Sequence, residues 1–323
     1  MKKNILCLIF SFLLTTNFAL AKVELIFGIS ATTGSIQYMT AEDFTKTANK
    51  MCGDKCVVKF FGNSQIGDDK ELMNKLKLGS VHLALPSSMM SSIAGEAGLF
   101  DMPFIVKDRN HVRAIEKEVF WPDIHPKIQE KGYTVIGFWE NGVRHITNSK
   151  RPINTPADLK GLKIRTPKST WRLKMFEAWG ASPSPMEFSE VFTALQTGVM
   201  DGQENPYTNV EGGKFQEVQK FLSRTGHVYT PAFLTVGKDQ FAKLPADVQK
   251  ILKNAAEDVR PRMYKAAEDD DLNLEKKLVA AGMKLNVADK ASFVNASKPI
   301  YAMFAKEIPN GQKLVDKALA LAK

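Results

Sequence analysis

Arg144, in "ENGVRHITNSKRPI", and Arg165, in "DLKGLKIRTPKSTW", each close a stretch with strand character beside a proline-containing turn, a position from which a side chain points into a cleft. A guanidinium is suited to gripping a carboxylate, because its planar fork donates two parallel, charge-assisted hydrogen bonds and it keeps its proton. Taken alone, either arginine reads as a surface charge. The segment "TALQTGVMDGQENP", Thr193 to Pro206, ends an apolar helix at Gly198 and runs straight into Asp201, Gln203, Glu204 and Asn205. Such a run is a solvated turn or the wall of a binding site. Asn205, held extended by Pro206, supplies an amide donor.

Other chemistries find little support in the residue pattern. His82, His111, His125, His145 and His227 occur singly, with no spacing that sets two on one helix face for zinc. There is no G-x-S-x-G elbow, phosphate loop or dinucleotide fingerprint. An unrecognised hydrolase, its triad dispersed along the chain, is the enzyme reading that stays open. No catalytic residue, metal ligand or cofactor is assigned, and the protein is expected not to be an enzyme. Cys52 and Cys56 in "MCGDKC" read as a local disulfide in an oxidising compartment, or as half a metal site with no nearby residue to complete it.

The compartment follows from the start of the chain. "MKKNILCLIFSFLLTTNFALA" sets Lys2 and Lys3 before an apolar run and an A-x-A site, the pattern of a cleaved secretory signal over residues 1–21. The leader carries two lysines and no acid, so the formal charge of +9 becomes +7 on cleavage. The remaining Lys and Arg are scattered without a basic stripe or stacking aromatics, so nucleic acid is not an expected partner. About 300 remaining residues imply two domains.

These residues must be positioned by alternating elements. A strand "KVELIFGIS" precedes an amphipathic helix over "SIQYMTAEDFTKTANKM"; a strand "VVKFFGNSQIG", a helix "DDKELMNKLKLG" and a strand "VHLALPSS" follow, and the alternation continues past "YTVIGFWENG". This predicts an α/β protein with largely parallel pairing. Glu71, Leu76 and Gly79 share their spacing with Glu190, Leu195 and Gly198, an echo that is either a pair of similar lobes or common capping chemistry. Pro261 predicts a kink in a long helical segment, and Glu268 to Asp271 reads as a solvated acidic face. Two helical pieces split at Pro309, Asn310 and Gly311 end the chain.

"GFWENGVRHITNSKRPINTPADLKGLKIRTP" and "GASPSPMEFSEVFTALQTGVMDGQENP", with "GNSQIGDDKELMNKLKLGSVHLALPSS", "LFDMPF" and "LPADVQKIL", resemble the extracytoplasmic solute-binding proteins of TRAP transporters, the DctP family, over nearly the whole chain after the leader. The resemblance implies a two-lobe periplasmic binding protein fold of the Venus-flytrap kind, with hinge strands and a long helix crossing both lobes. Lobe 1 would hold residues 22–141 and 230–270, and lobe 2 residues 142–229 and 271–323. It places the main salt bridge to a ligand carboxylate on Arg165, a second polar contact on Arg144 and a hydrogen bond on Asn205. Asp201, Gln203 and Glu204 would tie strand and hinge together. Gln65, Ser87, Ser88 and Trp171 lie in stretches that face the cleft in this family; Trp171 and Tyr207 would stack on or cap the ligand, or serve lobe packing instead. The implied partners are a small organic acid (dicarboxylate, sugar acid, keto acid, ectoine or aromatic acid) and the small and large integral membrane subunits of a permease driven by an ion gradient. A periplasmic sensor feeding a signalling partner is the alternative reading of the same cleft.

Overall fold

The computed structural model describes residues 22–322; the expected leader, 1–21, lies outside the described residues. The first helix forms as Ile36–Cys52, with Ser35 capping it by accepting from the Tyr38 backbone N–H at 3.3 Å. Its buried stripe of Ile36, Thr40, Ala41, Phe44, Ala48 and Cys52 keeps helical spacing and seats the helix on the sheet. A disulfide between Cys52 and Cys56, with Cα atoms 5.0 Å apart, ties this helix to the next strand.

The strands are β1 (Val23–Gly28), β2 (Cys56–Phe61), β3 (Leu83–Ala84), β4 (Tyr133–Asn148), β5 (Lys163–Thr166), β6 (Ser182–Pro185), β7 (Gly202–Asn205), β8 (Phe221–Gly237) and β9 (Lys284–Val287). They form one sheet in the order β2-β1-β3-β8-β4-β7-β5-β6, with β9 also on β8. Pairing is parallel at both ends, in β1 with β2 and β3 and in β5 with β6 and β7. The expectation of largely parallel pairing fails at the centre. The longest ladder, β4 with β8, is antiparallel, as are β4 with β7 and β3 with β8. β4 and β8, the two longest strands, run in opposite directions beside each other, and the chain between them returns through β5, β6 and β7, which form the far end of the sheet.

The β4–β8 register shifts between Glu140 and Gly142, opposite Pro231 and Thr230. Gly142 has φ 126°, and a Cβ there would lie 3.1 Å from the Pro206 Cβ, so both backbone conformation and space favour glycine. The stretches with the repeated Glu, Leu and Gly spacing both form helix, positive-φ glycine and strand: Asp69–Leu78 then Gly79 and β3, and Val191–Gln196 then Gly198 and β7.

At Pro261 the helical segment is interrupted at one residue, Val259, between Ala246–Asp258 and Arg260–Ala280, the proline sitting in the first turn of the second helix, where its missing N–H costs nothing. That second helix puts Met263, Tyr264 and Ala267 into a core with Phe44 and Trp139, and Leu274 and Leu278 into a separate core with Val210 and Phe215. The acidic cluster on it is not simply solvated. Asp271 meets Arg109 at 2.6 Å, and the same guanidinium holds Glu140, which is 1% exposed, so one cation is shared between an acid of the cluster and a buried acid of β4. The closing helices are Lys290–Glu307 and Gly311–Ala320, divided as expected.

Candidate ligand-binding site

β7 lies between β4 and β5, with His145 opposite Asn205 and Arg165 opposite Gln203. This adjacency brings Arg144, Asn205 and Arg165 to the wall of one cavity, although they lie far apart in sequence. Arg165 is the third residue of four in β5, near the strand end as expected. Arg144 is not at a strand tip; β4 continues to Asn148, because the residues after it pair on both sides with β7 and β8.

The two arginines differ in what they already hold. Arg144 chelates Glu204, from Nε at 2.6 Å and Nη2 at 3.0 Å, and Nη2 also donates to the Glu204 carbonyl and to Asn205 Oδ1. Glu204 further accepts from Arg172 Nη1 at 2.7 Å, and Arg172 Nη2 reaches Asp101 at 2.8 Å. All four side chains are buried, and two cations balance two acids. Burial opposes the charge on Glu204, but Arg144 and Arg172 overcome it and hold the carboxyl below its usual range. His227, pushed down to about 4 chiefly by burial, is neutral at neutral pH. Its contact with the Glu204 carboxylate at 3.1 Å therefore makes Nε2 the donor, and Nδ1 accepts from Thr225 at 2.8 Å.

Arg165 has no such counter-ion. Its Nε and Nη2 both donate to the Met186 carbonyl, at 3.0 and 2.6 Å, and among the described residues no carboxylate lies within ion-pair distance. Burial, reinforced by the like charge of Arg144, pulls the guanidinium down to about 10. Even so it stays charged at neutral pH, and a buried cation without an acidic partner is a costly arrangement that an incoming anion relieves.

Asn205 reaches the cavity but is already engaged, its Oδ1 accepting from Arg144 and Asn209 and its Nδ2 donating to Gln203 at 2.6 Å. Gln203 in turn donates to Thr147, and Asp201 accepts from the Lys163 backbone N–H, so both brace the strands. Ser87 and Ser88 line the cavity. Ser87 donates to the Pro231 carbonyl and accepts from Asn141, while the Ser88 hydroxyl is buried with no hydrogen-bond partner among the described residues. Gln65 sits exposed on a surface turn and is not in the lining.

The two aromatic residues lie elsewhere. Trp171 is 2% exposed and packs edge-on against Phe304, over Gly98, where even a methyl group would collide with the indole. Tyr207 stacks on His145 at 4.3 Å and donates to Glu275 at 2.6 Å. Neither lines the cavity, and both have packing partners.

Sequence reasoning gave no role to Arg172, Asp101 or His227, whose contacts span separations of 71, 32 and 23 residues. It also missed Asp69, four residues beyond Gln65, which accepts from Ser30 at 2.6 Å and lines the cavity. The only local signal was the doubled acid of "GDDKEL" at a helix start, which capping explains equally well. Among the described residues no group of His, Cys, Asp or Glu is placed to hold a metal, and no helix is long and apolar enough to cross a membrane.

The fold is a mixed α/β structure on one nine-stranded sheet, with a polar cavity lined by Ser30, Ser87, Arg165 and Asn205 among others. The chain belongs to the bacterial extracellular solute-binding proteins, family 7 (DctP), whose family model matches residues 27–307. It is 32% identical over 300 residues to the 2,3-diketo-L-gulonate-binding periplasmic protein YiaO of Escherichia coli, covering 92% of each chain. Two solved TRAP periplasmic solute-binding proteins superimpose on it with TM-scores of 0.88. One, from Polaromonas sp. JS666 with bound D-erythronate, is 34% identical and aligns over 94% of this chain and 100% of that one. The other, from Sulfurospirillum deleyianum with bound succinate, is 31% identical with the same coverage. The protein is thus a TRAP-type extracytoplasmic solute-binding protein.

Proposed function

We propose that this protein is the periplasmic receptor of a TRAP transporter, capturing a small organic acid by its carboxylate and delivering it to the small and large membrane subunits of an ion-gradient-driven permease. The observation that carries the reading is Arg165, a buried guanidinium that faces the cavity with no acidic partner among the described residues. A ligand carboxylate supplies the missing charge. Arg144, Asn205 and the acids behind them hold the wall in place, so the site meets the anion already organised.

Residues 1–21 act as the cleaved leader in this reading. The lobes are 22–141 with 230–270 and 142–229 with 271–323; the register shift beside Glu140 and Gly142 and the division of the crossing helix between two cores support those boundaries. Closure over the ligand excludes water and strengthens the Arg165 contact by lowering the local dielectric. The ligand leaves unchanged, as befits a receptor with no catalytic role. The test is a thermal-shift screen of the mature protein against organic acids and their uncharged amides. Acids that raise the melting temperature where their amides do not support the reading; equal shifts for acid and amide remove it.

A further inference from the structure

The charges around the cavity are matched except at two points. Arg144 and Arg172 are balanced by Glu204 and Asp101. Lys168, in the lining, is held by Glu187 at 2.5 Å. Arg165 remains as the unmatched cation. Its counterpart is Asp69, which also lines the cavity and has the Ser30 hydroxyl at 2.6 Å but no cation within ion-pair distance among the described residues. Both line the same cavity, yet they make no ion pair with each other.

A complementary ligand therefore carries one carboxylate, for Arg165, and hydrogen-bond donors toward Asp69. A second carboxylate meets the wrong partner there. Drawing Lys168 to it does not help, because that leaves Glu187 unpaired in the same wall. The buried Ser88 hydroxyl, without a partner, adds a group that both donates and accepts, which suits an alcohol. The cavity measures about 60 Å³ to the centre of a water-sized sphere, on the order of four to six waters, so the chain is short.

Resting on the carboxylate-receptor reading, we infer that the ligand is a short monocarboxylic acid bearing hydroxyl groups, read at its far end by Asp69 and Ser88, and that dicarboxylates of the same length are rejected. Like charges brought together in a desolvated site and hydroxyl-binding groups left unpaired each weaken binding, so the discrimination is on the order of a hundredfold or more.

The experiment is titration calorimetry at neutral pH on the mature protein, stripped of bound ligand, with glycerate and erythronate as hydroxy acids, succinate and glutarate as dicarboxylates, and butyrate as the acid lacking hydroxyls. The hydroxy acids are expected to bind about a hundredfold more tightly than the others. Asp69→Asn is expected to narrow the gap between erythronate and succinate at least tenfold, and Ser88→Ala to weaken the hydroxy acids while leaving butyrate unchanged. Succinate binding as tightly as either hydroxy acid, or an Asp69→Asn variant with the same preference as the wild type, overturns this inference and leaves the carboxylate anchor standing. Binding of none of the five acids, or binding that survives Arg165→Ala, removes the anchor itself.

Discussion

Replacing Arg165 by alanine is expected to abolish ligand binding while sparing the fold, and replacing the neighbouring Arg172 to do the reverse. The difference follows from what each guanidinium holds. In the liganded state, loss of Arg165 strands a carboxylate in a desolvated site, a penalty of about 2–5 kcal/mol. At about 1.4 kcal/mol per decade this weakens binding roughly thirty- to several-thousand-fold. In the free protein the same change removes two hydrogen bonds to one carbonyl, Met186, together with a buried charge that has no counter-ion among the described residues. A charge-assisted hydrogen bond contributes about 1.5–3 kcal/mol, and relief from burying the lone cation offsets a comparable amount. The melting temperature of the ligand-free variant should therefore stay within about 3 °C of the wild type. Arg172, by contrast, makes two buried ion pairs at 2.8 and 2.7 Å, and its loss leaves Asp101 and Glu204 short of a cation. That costs about 3–5 kcal/mol of stability. Calorimetry with the tightest-binding acid and differential scanning fluorimetry on ligand-free protein separate the two effects. An Arg165→Ala protein that binds with unchanged affinity, or one that melts as low as Arg172→Ala, would refute the reasoning.

Arg144→Ala should behave as a mixture, losing about 3–5 kcal/mol of stability because Glu204 loses its chelating partner, with affinity falling as a consequence; fluorimetry showing full stability would mean that the pair is not structural. Changing Cys52 and Cys56 together to serine should cost about 2 kcal/mol by restoring entropy to the unfolded chain, with little effect on affinity, and urea titration measures it. Acid should destabilise the protein through its histidines. His145 and His227 are pushed down from 6.5 to about 3 and about 4, mainly by burial, so between those values the unfolded chain binds protons that the native state refuses. Their contribution is complete above about pH 6.5 and drains away as the pH falls toward 4 and then 3. The melting temperature across that window should decline less steeply in a His145→Gln, His227→Gln double variant, and an unaltered slope would place the proton uptake elsewhere.

Several features of this protein are settled by neighbours along the chain. The helix after Ser35, the glycine caps at Gly79 and Gly198 and the interruption before Pro261 follow from local capping and backbone rules that need no partner. The disulfide needs only a short ring and two cysteines at its ends. Arg165, which taken alone reads as a surface charge, was singled out only by the resemblance of its "GLKIRTP" block to the DctP family.

Tertiary structure decided how those pieces are used. Arg144 and Arg165 look alike in sequence, yet one is chelated by Glu204 and the other faces the cavity alone, because β7 inserts Glu204 beside β4 and not beside β5. Trp171 read equally as a ligand cap or a packing residue until Gly98 and Phe304, distant in sequence, gave it a buried seat. Asp69 looked like the first turn of a helix until the fold carried it, with Ser30, to the wall of the cavity. Local rules act over a few residues and so can be read from the chain, whereas the pairing of buried charges depends on which strands become neighbours, and that is determined only when the whole sheet assembles.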